Sequence, residues 1–119
     1  MNKKLGQFTV QKGWGYELWI TNTDKYCGKL LYFKKGKKCS WHYHKVKDEV
    51  FYVQSGKIKL TFGLTDEKKD ASTLILEKGD SFHVPVGLRH QMLGLEETEL
   101  FEFSTLHSEE DSIRVEKGD

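Results

Sequence analysis

Short apolar runs recur along this chain at close intervals, each ended by a turn, and helix signals are nearly absent. Leu30-Leu31-Tyr32-Phe33 stops at Lys34-Lys35-Gly36, and Val50-Phe51-Tyr52-Val53 stops at Gln54-Ser55-Gly56. Ile58, Leu60 and Phe62 then alternate with Lys57, Lys59 and Thr61, the period of a half-buried strand, so the two segments flanking Ser55-Gly56 form a hairpin. Leu74-Ile75-Leu76 precedes Lys78-Gly79-Asp80, Phe82-His83-Val84 precedes Pro85-Val86-Gly87, and a last strand runs through Leu100-Phe101-Glu102-Phe103. Evenly spaced short strands divided by glycine turns predict an all-β sandwich or barrel. The polar tail from Ser108 to Asp119 has weak patterning, and no element is predicted there.

Length and charge narrow the partners. The 119 residues suit one domain, 1–119, with no linker or repeat. Nineteen basic residues stand against 18 acidic ones, and the densest basic run, Lys34 to Lys38, is centred on a glycine and reads as a solvated turn. Neither a nucleic-acid nor a membrane partner is expected, because both call for a clustered basic face or a long apolar run. Cys27 and Cys39 have neither metal-finger nor redox spacing. Two free thiols in a reducing cytoplasm are the expectation, although sequence leaves a disulfide between them open.

The chemistry lies in the histidines. His42 and His44 are two apart, so on a strand both imidazoles leave the same face. Glu49 follows at the start of the next strand, and His90 comes after the Pro85-Val86-Gly87 turn. Asp48 competes with Glu49, but a strand turns only one of them inward, and the spacing to Phe51 and Val53 favours Glu49. Three imidazoles and a carboxylate suit one borderline divalent ion, whether Fe, Mn, Zn, Ni or Co, with further coordination positions left to water or substrate. Tyr43 faces away from the ligand histidines, His83 falls between inward-facing Phe82 and Val84 as a structural residue, and His107 in the tail is uninformative.

The letters around these residues carry a resemblance. Gly36, His42, His44, Glu49 and Gly56, separated by five, one, four and six residues, resemble the first cupin motif; Gly79, Pro85, Gly87 and His90, separated by five, one and two, resemble the second. The similarity covers about residues 28–104, with a strand segment at 5–21 before it and the polar tail 108–119 after it. It implies a cupin jelly roll, the double-stranded β-helix, with His42, His44, Glu49 and His90 pointing inward onto metal. The second motif departs from the family at Gly94, where Asn is common.

Finer letters point within the family. Gly13-Trp14-Gly15-Tyr16-Glu17, Ser40-Trp41-His42-Tyr43-His44, and Phe103-Ser104-Thr105 with Asp111-Ser112-Ile113-Arg114-Val115 are similar to mannose-6-phosphate isomerase-like cupins. That resemblance implies aldose–ketose interconversion of a sugar or sugar phosphate. A general base would come from Glu102 or Glu17, although alternation leaves a second phase open in which Phe101 and Phe103 point inward and Glu102 meets solvent. Arg89 and Lys45 are candidates to attract a phosphate. Trp14 is either a core residue or an aromatic at the barrel mouth. A dioxygenase or lyase acting on a small acid, and a carbohydrate-binding module without turnover, are the competing readings. Cupins commonly dimerise through their edge strands, so a homodimer is expected, with Phe8-Thr9-Val10 contributing.

Overall fold

The structure is a computed structural model, and it describes residues 7–119. Residues 5 and 6 of the predicted N-terminal strand segment lie outside the described residues. Eleven strands follow in order: β1 (Phe8–Lys12), β2 (Gly15–Asn22), β3 (Cys27–Phe33), β4 (Trp41–His44), β5 (Glu49–Ser55), β6 (Lys57–Gly63), β7 (Ser72–Glu77), β8 (Ser81–Val84), β9 (Arg89–Gly94), β10 (Thr98–Ser104) and β11 (Ser112–Glu116). Only two single 3₁₀ turns, Lys68–Asp70 and Glu109–Asp111, interrupt them among the described residues. The strands form two antiparallel sheets. One runs β1-β2-β3-β10-β5-β8 and the other β11-β4-β9-β6-β7. This is the predicted all-β jelly roll.

The β5–β6 connection shows how glycine sets the turn. Gly56 has φ +92°, and a Cβ there would collide with the carbonyl oxygen of Glu97 and the hydroxyl of Thr98. Only glycine meets both demands. Leu31, Phe33, Phe51, Val53, Ile58, Leu60, Met92 and Leu100 fill the space between the sheets as one apolar cluster. At one end of the sandwich the inward positions turn polar, and there the cavity opens.

Two strand assignments depart from the sequence reading. Patterning left the tail without an element, yet Ser112–Glu116 is a strand paired to β4, with Ser112 opposite His44 and Arg114 opposite His42. Its letters mix charge and apolarity because it is an edge strand with half its positions in water. In β10 the inward phase belongs to Leu100 and Glu102, while Phe103 is 54% exposed, so the phase that placed Phe101 and Phe103 inside is overturned. Cys27 and Cys39 are both free and buried. Burial pushes the Cys39 thiol up to about 12, which keeps it protonated and unreactive.

Candidate metal centre

His42 and His44 leave β4 on the inner face, and the β4–β9 register sets His90 directly opposite His42. The three imidazoles bring ligand nitrogens within 4.8 Å of one another, a group that could hold a metal ion. Each ring has its Nδ1 facing a backbone carbonyl: Ser40 for His42 at 2.9 Å, Leu88 for His90 at 2.9 Å and Asp111 for His44 at 3.2 Å. For His42 and His90, Nδ1 therefore carries the proton and the Nε2 lone pair points inward, the arrangement that prepares an imidazole for a metal. Burial, and then the neighbouring His90, hold His42 well below the ordinary imidazole range. Burial pushes His90 down to about 3, so both rings are neutral at pH 7.

Glu49, the first residue of β5, comes from the opposite sheet and is 2% exposed. Its Oε2 lies 3.1 Å from His44 Nε2 and 3.4 Å from His90 Nε2. Neither Glu49 Oε2 nor His90 Nε2 has a hydrogen-bond partner. These buried acceptors face one another with no proton left to share, and an orphaned acceptor costs about 1–3 kcal/mol. A cation would satisfy them together, so the donor set fits a divalent ion. Burial opposes the charge on Glu49, but His44 and the Lys47 ammonium outweigh it and hold its pKa below the usual carboxylate range. Asp48 points outward, 2.6 Å from the exposed His83.

The tail holds the ligand turn in place. The Asp111 carboxylate accepts from the backbone N–H groups of Lys45, Val46 and Lys47 at 2.8, 3.0 and 2.9 Å. Burial raises its pKa, but those three donors lower it further, for a net depression. The clamped turn sits between His44 and Glu49, so loss of Asp111 releases two ligands at once. Asp111→Ala is expected to weaken metal binding about 10–100-fold, as loss of an outer-shell partner does, while leaving the fold intact. Competition with a fluorescent chelator measures it, and an unchanged affinity would remove Asp111 from the site.

Beside the histidines lies a buried charge network. Lys47, 2% exposed, gives its ammonium to Glu102 at 2.9 Å and to His107 Nδ1 at 3.0 Å, and stands 3.5 Å from Glu49. His107 Nε2 donates to Glu109 at 2.9 Å. Burial lowers the Lys47 pKa, but Glu102 and Glu49 overcome it and raise the net value. Glu17 also lines the cavity, of about 330 Å³, where its Oε1 accepts from Trp19 Nε1 at 2.9 Å and from Lys29 at 3.3 Å. Trp14 is buried and stacks on Phe33 at 4.2 Å.

The predicted phosphate cations lie elsewhere. Arg89 rests 3.7 Å over Tyr43 and pairs with Asp66, and Lys45 is exposed; neither lines the cavity. The cations that do are Lys12, Lys29, Lys47, Arg114 and Lys117. Sequence reasoning passed over Lys29, Lys47, Asp111 and His107. A lysine normally signals surface, and nothing local marks the two that are buried. For Asp111 the tail motif was the available signal, and nothing local marked His107.

The cupin domain family matches residues 29–108. The chain is a cupin. Among solved structures, it superposes on the capsular polysaccharide assembling protein CapF from Staphylococcus aureus with a TM-score of 0.79 and 20% identity, covering 92% of this chain and 34% of that one. A single-substitution variant of oxalate decarboxylase from Bacillus subtilis gives 0.78 and 22%, covering 93% and 31%. KdgF from Halomonas sp. gives 0.73 and 17%, covering 92% and 94%. The cupin thus spans about a third of CapF and of the decarboxylase, and at these identities the likeness is one of fold. Mn(II) centres are described for the Bacillus subtilis oxalate decarboxylase, in a structure 23% identical with a TM-score of 0.78, covering 93% of this chain and 31% of that one. A search of curated proteins returned no match. The departure at Gly94 has a steric cause in this cupin: a Cβ there would lie 2.8 Å from the Lys34 carbonyl oxygen.

Proposed function

We propose that this cupin binds one divalent transition metal on His42, His44, Glu49 and His90 and isomerises a sugar or sugar phosphate. The observation that carries the reading is Glu102, a carboxylate 4% exposed on the cavity wall, held by Lys47 and outside the group of metal donors. Burying that charge in an apolar strand is costly without a task. A bound ion would polarise the substrate carbonyl and its neighbouring hydroxyl as a Lewis acid. Glu102 takes the proton from the hydroxyl-bearing carbon and returns it to the former carbonyl carbon, while the hydroxyl proton passes to the former carbonyl oxygen, so no oxidant or reductant is consumed. Lys47 fixes the carboxylate for both transfers. His107 and Glu109 hold Lys47 in turn.

A lyase or decarboxylase acting on a small acid is the second reading, favoured by the fold shared with oxalate decarboxylase. A carbohydrate- or small-ligand-binding module without turnover is the third. Protein loaded with Mn²⁺, Fe²⁺, Zn²⁺, Ni²⁺ or Co²⁺ and incubated with aldoses, ketoses and their phosphates in D₂O separates them by proton NMR. The isomerase exchanges deuterium at the carbon beside the carbonyl. Carbon dioxide released from oxalate, with no sugar exchange, would establish the lyase. Ligand-dependent thermal stabilisation without product would establish the binding module.

A homodimer belongs to the same reading. The outer face of the six-stranded sheet presents Leu18, Leu30, Val50, Tyr52, Phe101 and Phe103, all partly or largely exposed. A sheet face meant for water is polar throughout, whereas this one has an apolar centre with polar Thr9, Ser81 and His83 only towards its edges. Phe8 on edge strand β1 is 50% exposed as well. Light scattering at micromolar protein is expected to give twice the monomer mass, and Phe103→Glu to halve it. A wild-type monomer would overturn the assignment. No helix among the described residues is long and apolar enough to cross a membrane. Two buried free thiols accord with placing the protein in the cytoplasm.

A further inference from the structure

One row of side chains crosses the inner face of the six-stranded sheet. The strand register aligns Trp19 of β2 with Lys29 of β3, Lys29 with Glu102 of β10, and Glu102 with Phe51 of β5. Lys29 is 1% exposed, as buried as the apolar core, and it lines the cavity. Its ammonium has three donors. One reaches Glu17 Oε1 at 3.3 Å, the charge lies 4.0 Å from the Trp19 ring centroid, and Lys29 makes no other side-chain hydrogen bond among the described residues. Glu17 is as incompletely used. Its Oε1 takes both Trp19 Nε1 and Lys29, while Oε2 has no partner among the described residues.

Buried charges persist when their remaining donors and acceptors are met. Here Lys29 is buried and Glu17 is 15% exposed on the cavity wall, so the remaining donors of Lys29 and the second oxygen of Glu17 are open to what enters the cavity. We propose that Glu17 and Lys29 form a clamp for a pair of substrate hydroxyls, Lys29 donating to one oxygen and Glu17 Oε2 accepting the proton of the neighbouring one. The clamp rests on the isomerase reading and deepens it, since it names a polyhydroxylated chain as the substrate. It also changes the role of Glu17 from candidate base to binding residue.

Two arguments select hydroxyls over an anion. The Lys29 charge is already matched by Glu17, so a carboxylate or phosphate entering here would face the Glu17 carboxylate. Strand spacing gives the second. Lys29 lies about 5 Å and β2 about 10 Å across the sheet from Glu102. That reach suits a sugar chain whose reacting carbons sit at Glu102 and exceeds a two-carbon acid.

The test uses metal-loaded full chain and D-mannitol, an open-chain polyol with no carbonyl to turn over, with oxalate as the contrasting probe. By calorimetry the wild type is expected to bind mannitol. Lys29→Met and Glu17→Gln should each weaken it about tenfold or more, the worth of one charge-assisted hydrogen bond, with metal content and oxalate affinity unchanged. Should either single variant misfold, the double variant E17Q/K29M leaves a neutral pair of similar size, and its circular dichroism and metal content report the fold. Mannitol binding in that folded variant within about twofold of wild type would overturn the clamp, as would a wild type that ignores mannitol. Oxalate binding that depends on Lys29 would overturn it in favour of an anion site. The two proposals fail separately. Lys29-dependent mannitol binding with no sugar exchange sinks the isomerase and keeps the clamp, whereas sugar turnover with KM unchanged in Lys29→Met does the reverse.

Discussion

The double variant His42→Ala/His44→Ala is expected to lose stoichiometric metal while the barrel stays folded. Four-ligand zinc sites are worth about 10–16 kcal/mol at neutral pH, so two of four ligands carry roughly half, on the order of 10⁴-fold in affinity or more. Nothing in the fold requires those imidazoles. The core lies among Phe33, Val53, Ile58, Leu60 and Leu100, each at most 1% exposed, and the turns depend on glycines such as Gly56. Elemental analysis after dialysis should give about one equivalent for wild type and none for the variant, with matching circular dichroism. A variant that retains a full equivalent would place the metal elsewhere.

The same physics explains what could be read without coordinates. A short-range rule acts on His42 and His44, whereas Glu49 and His90 entered as candidates through the spacing of the two motifs. Residues two apart share a strand face, and glycines must stand where φ turns positive, as at Gly36, Gly56, Gly79 and Gly87. Strand phase was harder. In β3 the run Leu30-Leu31-Tyr32-Phe33 is apolar in both phases, and in β10 Leu100 and Phe101 leave the same ambiguity. Alternation can assign a face only when one face is polar. The apolar outer face of this sheet, the feature that points to a dimer, thereby hid Lys29 from sequence reasoning and left the facing of Glu102 open. The tail was obscured for another reason. Asp111 and His107 act through partners 64 and 60 positions away, Lys47 in both cases, and no local pattern encodes a contact at that separation.

Glu102→Gln carries the larger claim, because it separates holding a metal from using one. The amide matches the carboxylate in shape and keeps an oxygen to accept from Lys47, and Lys47 retains Glu49 at 3.5 Å. Fold and metal content should therefore survive. What disappears is a group able to take a proton, and general-base catalysis contributes about 10²–10⁴-fold. Deuterium exchange into the sugar should fall by that factor with metal stoichiometry unchanged. Glu102→Asp, which keeps the acid but withdraws it by one methylene, should retain more activity than Glu102→Gln. A merely structural carboxylate predicts the opposite order, because the shorter side chain breaks the 2.9 Å contact with Lys47 while the amide preserves it. If exchange in Glu102→Gln matched wild type, the proton would have to move through another group. His107 is then a candidate, since it lines the cavity and shares the Lys47 ammonium at 3.0 Å.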